Sequence, residues 1–325
     1  MILRKDVFIY LALVILLSFI AGLRLFGWDN DSSNYYYMVV SQGKLALANK
    51  EFFFKALIKI NSILFSKNFY TFLIFIALLS VSIKIFIFAN YSPLPLLSIL
   101  MYLLSYFWLH DYVQIRAGVS TGLFLYATKD LADGNVKKYF LKVFFAIMFH
   151  WSSIILIPSF FIVQNLNLKF HALLPLIGIF LKLLGFNLFF VIQFILQLFK
   201  INPIYYKMYA GYQDVINAFN LISLSYIILF YIITYIFIKY KQSLCIYEII
   251  LYKFFSLGIF VYLITTILNA PVVAFRLLEY FMIVLLLLIP FVVMKFKQII
   301  LASTISILYY GFYCFYLFQN VIEFK

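Results

Sequence analysis

Long apolar runs recur along nearly the whole chain, and few charges interrupt them. Phe69 to Phe88 carries only Lys84, Asn217 to Ile238 carries no charge, and Leu277 to Met294 carries only Glu279. A hydrocarbon core about 30 Å thick is crossed by roughly 20 apolar residues in a helix. A helix satisfies its own backbone in lipid. Several such runs in one chain predict an all-α, polytopic bundle in the membrane. Run length gives roughly 11 transmembrane helices. They fall near 7–26, 69–89, 94–110, 113–128, 139–163, 171–186, 187–200, 217–238, 248–268, 276–294 and 298–318. The pair within 171–200 is the least sharply divided, with Gly185 and Asn187 as its turn signal.

The pattern changes once, in 27–68. This long connection opens on Asp29, Asn30, Asp31, Ser32 and Ser33, then runs into Tyr35, Tyr36 and Tyr37. From Glu51 to Phe65, Lys55, Lys59 and Asn61 alternate with Phe53, Phe54, Leu57, Ile58 and Leu64. That spacing predicts an amphipathic helix lying in the interface. Long connections of this kind are usually functional.

Composition supports one membrane domain over 1–325. The chain is 66% hydrophobic and 11% charged, and no stretch reads as a soluble domain. The net charge of +14 does not point to nucleic acid, because the lysines spread over loops and helix ends as lipid-headgroup contacts do. Cys245 and Cys314 lie in different segments with no metal-ligand spacing, so neither a disulfide framework nor a metal site is expected. Arg4 and Lys5 precede an apolar run that lacks a small-residue cleavage site, and it reads as an uncleaved first helix.

Basic clusters set an expected orientation. Arg4 and Lys5, the Lys129–Lys142 group, Lys239 with Lys241, and Lys295 with Lys297 share one side if the number of crossings is odd. By the positive-inside rule that side and the N-terminus are cytoplasmic. Lys44, Lys50, Lys55, Lys59 and Lys67 then lie outside, on a long connection where the rule is weak.

Charges retained inside such a chain are costly and become candidates for function. In this topology most gather towards the outer side. Arg116 begins the fourth crossing, beside Ala117, Gly118, Ser120, Thr121 and Gly122, small residues that allow close helix approach. It either snorkels to headgroups or points into the bundle. Arg276 and Glu279 share a helix face at i,i+3, as a structural ion pair or as an arginine held for an anion. His150 lies in the fifth crossing, as a satisfied core residue or as a general base. Asp29 and Asp31 are solvated loop acids or, with Tyr35 and its neighbours, a sugar-binding surface of carboxylates and aromatic planes.

Four segments together resemble the polysaccharide polymerases of the Wzy/EpsG type. These are the acidic, Tyr-rich stretch Asp29–Tyr37 and the aromatic start at Glu51. With them go Gln114-Ile115-Arg116-Ala117-Gly118 followed by His150-Trp151-Ser152-Ser153, and Arg276-Leu277-Leu278-Glu279-Tyr280. The resemblance implies a membrane glycosyltransferase of the bacterial plasma membrane. It would join undecaprenyl-diphosphate-linked oligosaccharide repeats on the outer face, without cofactor or metal. Arg116 and Arg276 would stabilise the leaving diphosphate, and His150 would contact it or take the acceptor's proton, with Asp29, Asp31 and Glu51 as rival bases. Asp29, Asp31, Tyr35, Glu51, Glu279 and Tyr280 would bind substrate. A flippase and a chain-length regulator are the partners the family implies. An O-antigen ligase, a lipid-linked oligosaccharide flippase and a membrane acyltransferase are the competing readings. The ligase would carry a large late outer loop, the flippase paired repeats, and the acyltransferase an acyl-donor dependence.

Overall fold

A computed structural model of the protein describes residues 4–27, 29, 31–41, 51–165, 167–185, 217–268 and 271–320. These residues are helical, with no strand among them. They form two compact units, Met1–Ile157 with Leu286–Lys325, and Pro158–Leu285.

The first unit opens with α1 (Arg4–Gly22), α2 (Ser32–Val40), α3 (Phe52–Leu64) and α4 (Phe69–Tyr91). Asn68 starts α4 by accepting the amide of Thr71 at 3.1 Å. Next come α5 (Pro95–Leu103), a π-helical turn (Phe107–Val113), α6 (Ile115–Ala132) and α7 (Val136–Phe149). A 3₁₀ turn (Trp151–Ile155) and the start of α8 (Leu156–Asn165) follow. Helices α6 and α7 form an antiparallel hairpin through a tight turn that Gly134 makes at φ 73°. Helix α1 lies against α4, and α4 against α6. At Gly22 any Cβ would fall 2.7 Å from the Ile74 Cα, so α1 and α4 meet at a contact only glycine allows.

The second unit holds α9 (Leu168–Leu183), α10 (Leu221–Lys239), α11 (Ile246–Thr265) and α12 (Pro271–Met282). Asn167 and Asn220 cap α9 and α10, and Cys245 with Glu248 closes a reciprocal cap on α11. Helix α11 is the centre of this unit and packs on α9, α10 and α12. The chain continues through α13 (Leu285–Val293) to α14 (Ile299–Asn320).

Among the described residues, four helices are long and apolar enough to cross a membrane: Phe69–Tyr91, Leu221–Lys239, Ile246–Thr265 and Ile299–Gln319. The number rises to six if the broken pairs Pro95–Leu103 with Phe107–Val113, and Val273–Met282 with Leu285–Val293, each count as one. Their unpaired faces are apolar, as at Ile300, Leu308 and Ile228, which suits contact with lipid. The chain is therefore a multi-pass membrane protein. The expected count of roughly 11 rests on run length; among the described residues the structure supports four to six. The expected crossing at 187–200 and residues Lys44 and Lys50 lie outside the described residues.

Three expected crossings are broken. The run 94–110 bends by 63° between Leu103 and Phe107. The run 276–294 is interrupted between Met282 and Leu285. The run 139–163 ends its first helix at Phe149, so His150 is not inside a continuous helix. Its backbone is extended, at φ −150° and ψ 115°. The cause is local: the Ser153 hydroxyl donates to the His150 carbonyl at 2.7 Å, a side-chain turn that competes with the helical ladder.

Candidate functional site

Arg116 sits at the start of α6 and His150 at the end of α7. The antiparallel hairpin therefore sets them side by side. Two serines stitch the strands of this hairpin at that end. The Ser120 hydroxyl donates to the Ala146 carbonyl at 3.2 Å and is also bonded to Ser153. The Ser153 that ends α7 thus also ties His150 to the helix that carries Arg116.

Glu51 arrives from the other side, immediately before α3. The aromatic face of α3 fixes it there. Phe53 stacks on Phe149 with ring centres 5.9 Å apart, and Phe54 meets Phe72 edge-on at 5.5 Å. Phe54, Ile58, Tyr35, Met38 and Val39 share one apolar core with Phe72, Ile115 and Val119. Burial of this face holds α2 and α3 against α4 and α6.

The result is a three-way junction. Glu51 Oε2 accepts from Arg116 Nη1 at 2.7 Å, and Oε1 lies 3.3 Å from His150 Nδ1. The same Oε1 accepts the Trp151 amide at 3.3 Å. The Glu51 side chain is only 5% exposed, while those of Arg116 and His150 are 18% and 13% exposed. The guanidinium of Arg116 lies 5.7 Å from the ring centres of both Tyr35 and Phe54. Arg116 Nε is buried without a hydrogen bond, so the guanidinium retains donor capacity.

Electrostatics follow this geometry. Burial by itself would raise the Glu51 carboxyl. The hydrogen bond to His150 and the charge of Arg116 outweigh it and hold the group below its usual 4.5. Burial pushes the Tyr35 phenol up to about 12, against the pull of Arg116, so it stays protonated as a donor.

Asp29 has a different place. Its Oδ1 accepts the amides of Asp31 at 3.0 Å and Ser32 at 2.8 Å, and its Oδ2 is bonded to the Ser32 hydroxyl. It nucleates α2 and so positions Tyr35. Arg24, buried beneath, places its Nε 3.4 Å from Asp29 Oδ2 and its guanidinium 5.3 Å from the Tyr112 ring centre. Asp31 is half-buried at the start of α2.

Of the expected site residues, Tyr35, Glu51, Arg116 and His150 converge, and Asp29 supports them. Arg276, Glu279 and Tyr280 lie on α12 of the second unit, the first two half-buried and Tyr280 buried. Sequence reasoning passed over Arg24, which lies near the end of the expected crossing 7–26, where a basic residue can snorkel to headgroups. It also did not pair Lys84 with Asp111, although Lys84 is the lone charge of its run.

Neither a curated protein nor a solved structure matches the chain. The model of the EpsG family matches residues 7–325, nearly the whole length. The chain, with Arg116 and His150 joined through Glu51, belongs to the EpsG family.

Proposed function

We propose that this protein polymerises undecaprenyl-diphosphate-linked oligosaccharide repeats on the outer face of the bacterial plasma membrane, with its N-terminus in the cytoplasm. Membership of a family of exopolysaccharide or O-antigen polymerase type supports the class of reaction. The observation that carries the site is the junction of Arg116, Glu51 and His150.

In this reading the acceptor hydroxyl attacks the anomeric carbon of the donor. The new carbon–oxygen bond forms as the bond to the diphosphate breaks, and the diphosphate leaves with the electron pair. Arg116 stays charged and offers forked donors to the developing phosphate charge. Glu51 orients His150 through Nδ1–H. The lone pair then lies on Nε2, which takes the acceptor's proton. Tyr35 and Asp31 receive sugar hydroxyls. Arg276, on α12 with Glu279 and Tyr280, supplies a separate cation for an anionic group of the lipid-linked substrate.

The test is a gel of surface polysaccharide from a deletion strain, with and without complementation. Single repeats in the deletion and a restored ladder on complementation are expected. Lipid-linked units accumulating inside the cell would favour the flippase reading. Polymer left unattached to its core lipid would favour the ligase.

A further inference from the structure

A second charged network lies deeper in the first unit, where the proposed chemistry does not reach. Lys84, in the middle of α4, donates to Asp111 Oδ2 at 2.6 Å and to Oδ1 at 2.8 Å, and both side chains are fully buried. The Tyr102 hydroxyl donates to Asp111 Oδ2 at 2.6 Å, and Ser80 is bonded to Oδ1. Lys84 also reaches Ser80 Oγ at 3.1 Å. The carboxylate therefore has donors from three side chains. Such a network is satisfied, but it gives little net stability over an apolar filling of the same volume. Where it is kept, fixing a register is its best-attested use.

The register at issue is unusual. Asp111 lies in the π-helical turn Phe107–Val113, where the Gln114 amide bonds the Leu109 carbonyl at 2.9 Å. π-Turns are rare and are frequently found at functional sites. A single residue, Gln114, joins this turn to α6, and Arg116 follows two residues later. Helix α6 also rests directly on the turn. A Cβ on Gly118 would fall 2.8 Å from the His110 carbonyl oxygen and 2.9 Å from Asp111 Oδ1. Thr121 Oγ1 lies 3.3 Å from His110 Nδ1. The placement of Arg116 is therefore inherited from the placement of Asp111.

We infer that Lys84 and Asp111 are positioning residues for Arg116. They lock the π-turn to α4 and so fix where α6 begins. This rests on the reading of Arg116 given above. The pair touches no substrate. It holds the guanidinium within reach of Glu51, and its loss acts on turnover through that geometry.

The experiment uses full-length protein in proteoliposomes, supplied with lipid-linked repeat units extracted from a deletion strain. The variant Lys84→Met/Asp111→Leu removes the pair and fills its space. The expected result is a thermal midpoint near wild type and faster amide exchange across Phe107–Arg116. Chain extension should slow at least tenfold, with the KM for the repeat unit within about twofold. Gly118→Ala, which displaces the same turn with both charges in place, should give the same split and serves if the double variant does not fold. Unchanged exchange or unchanged turnover in the folded variants overturns the inference. Arg116→Ala runs in parallel: normal chains from that variant overturn the reading of Arg116 itself, whatever exchange shows at the turn.

Discussion

Glu51 Oε2 and Arg116 Nη1 are 2.7 Å apart, although 65 residues separate them in the chain. The carboxylate is almost wholly buried, and its second oxygen serves His150 and the Trp151 amide. One side chain thus ties α3, α6 and α7 together. Glu51→Ala leaves Arg116 buried without its partner, a change that costs about 3–5 kcal/mol where a buried pair is broken. The expected result is a clear drop in thermal midpoint together with loss of polymer. Glu51→Gln keeps an acceptor for Arg116 and should recover most of the midpoint but not the polymer. Equal polymer from Glu51→Gln and wild type would remove the charge of Glu51 from the mechanism.

Arg116 is distinguished from a generic cation by its forked donors. Lysine keeps the charge but offers it as a point, so Arg116→Lys should fold and still polymerise poorly. Removing a donor that acts on developing charge typically costs about a hundredfold or more in rate. Arg116→Ala and Arg276→Ala should each abolish long chains while the protein still inserts. The measurement is the length distribution of surface polysaccharide alongside the amount of protein in the membrane. Normal chains from either variant exclude that arginine.

The Glu51 junction has a defined pH dependence. The carboxyl is held below its usual 4.5 in the folded protein. A group depressed on folding contributes stability that is full above its ordinary value and is lost as pH falls through the folded value. Glu51 should therefore not limit thermal stability between pH 5 and pH 8. Burial alone works in the opposite direction and raises the group. Replacing Arg116 by Gln removes one of the two opposing influences. The acid loss of stability should then move to higher pH. Thermal midpoints measured across pH for wild type and Arg116→Gln test this, and superimposable acid limbs would count against it.

Much of this arrangement was legible in the residues, and the failures have identifiable causes. Arg116 and His150 stand out as polar residues in apolar runs, Glu51 as the polar start of an aromatic helix, and Tyr35 as part of the acidic, Tyr-rich stretch Asp29–Tyr37. Their convergence follows from two features the sequence showed separately: a basic turn that reverses the chain, and an amphipathic segment needing a partner for its face. The break at His150 was missed because run length cannot register a serine three residues on that captures the His150 carbonyl. The π-turn before Arg116 was missed for a related reason. Asp111 within it is bonded by Lys84, Ser80 and Tyr102 on other helices, contacts that the propensities of Phe107–Val113 do not register. Arg24 resembled an ordinary flanking charge until the fold buried it against Asp29.

Asp29 shows how a residue selected for chemistry acquires a structural account. Its oxygens are occupied by two backbone amides and a hydroxyl at the start of α2, with Arg24 beside them. The N-cap residue is Asp31, and Asp29 bonds its amide and that of Ser32 where the first turn begins; losing side-chain-to-amide bonds of this kind costs about 0.5–2 kcal/mol. Asp29→Ala removes these bonds and the ion pair with Arg24. Helix α2 should fray, amide exchange over Ser32–Val40 should rise, and Tyr35 should lose its place above Arg116. Asparagine also accepts such amides well. Asp29→Asn should therefore keep α2 folded and most of the polymer, even though the charge is gone. If Asp29→Asn abolished polymer while exchange over Ser32–Val40 stayed at the wild-type rate, the carboxylate would be acting on substrate, and the assignment of Asp29 as a support for Tyr35 would fall.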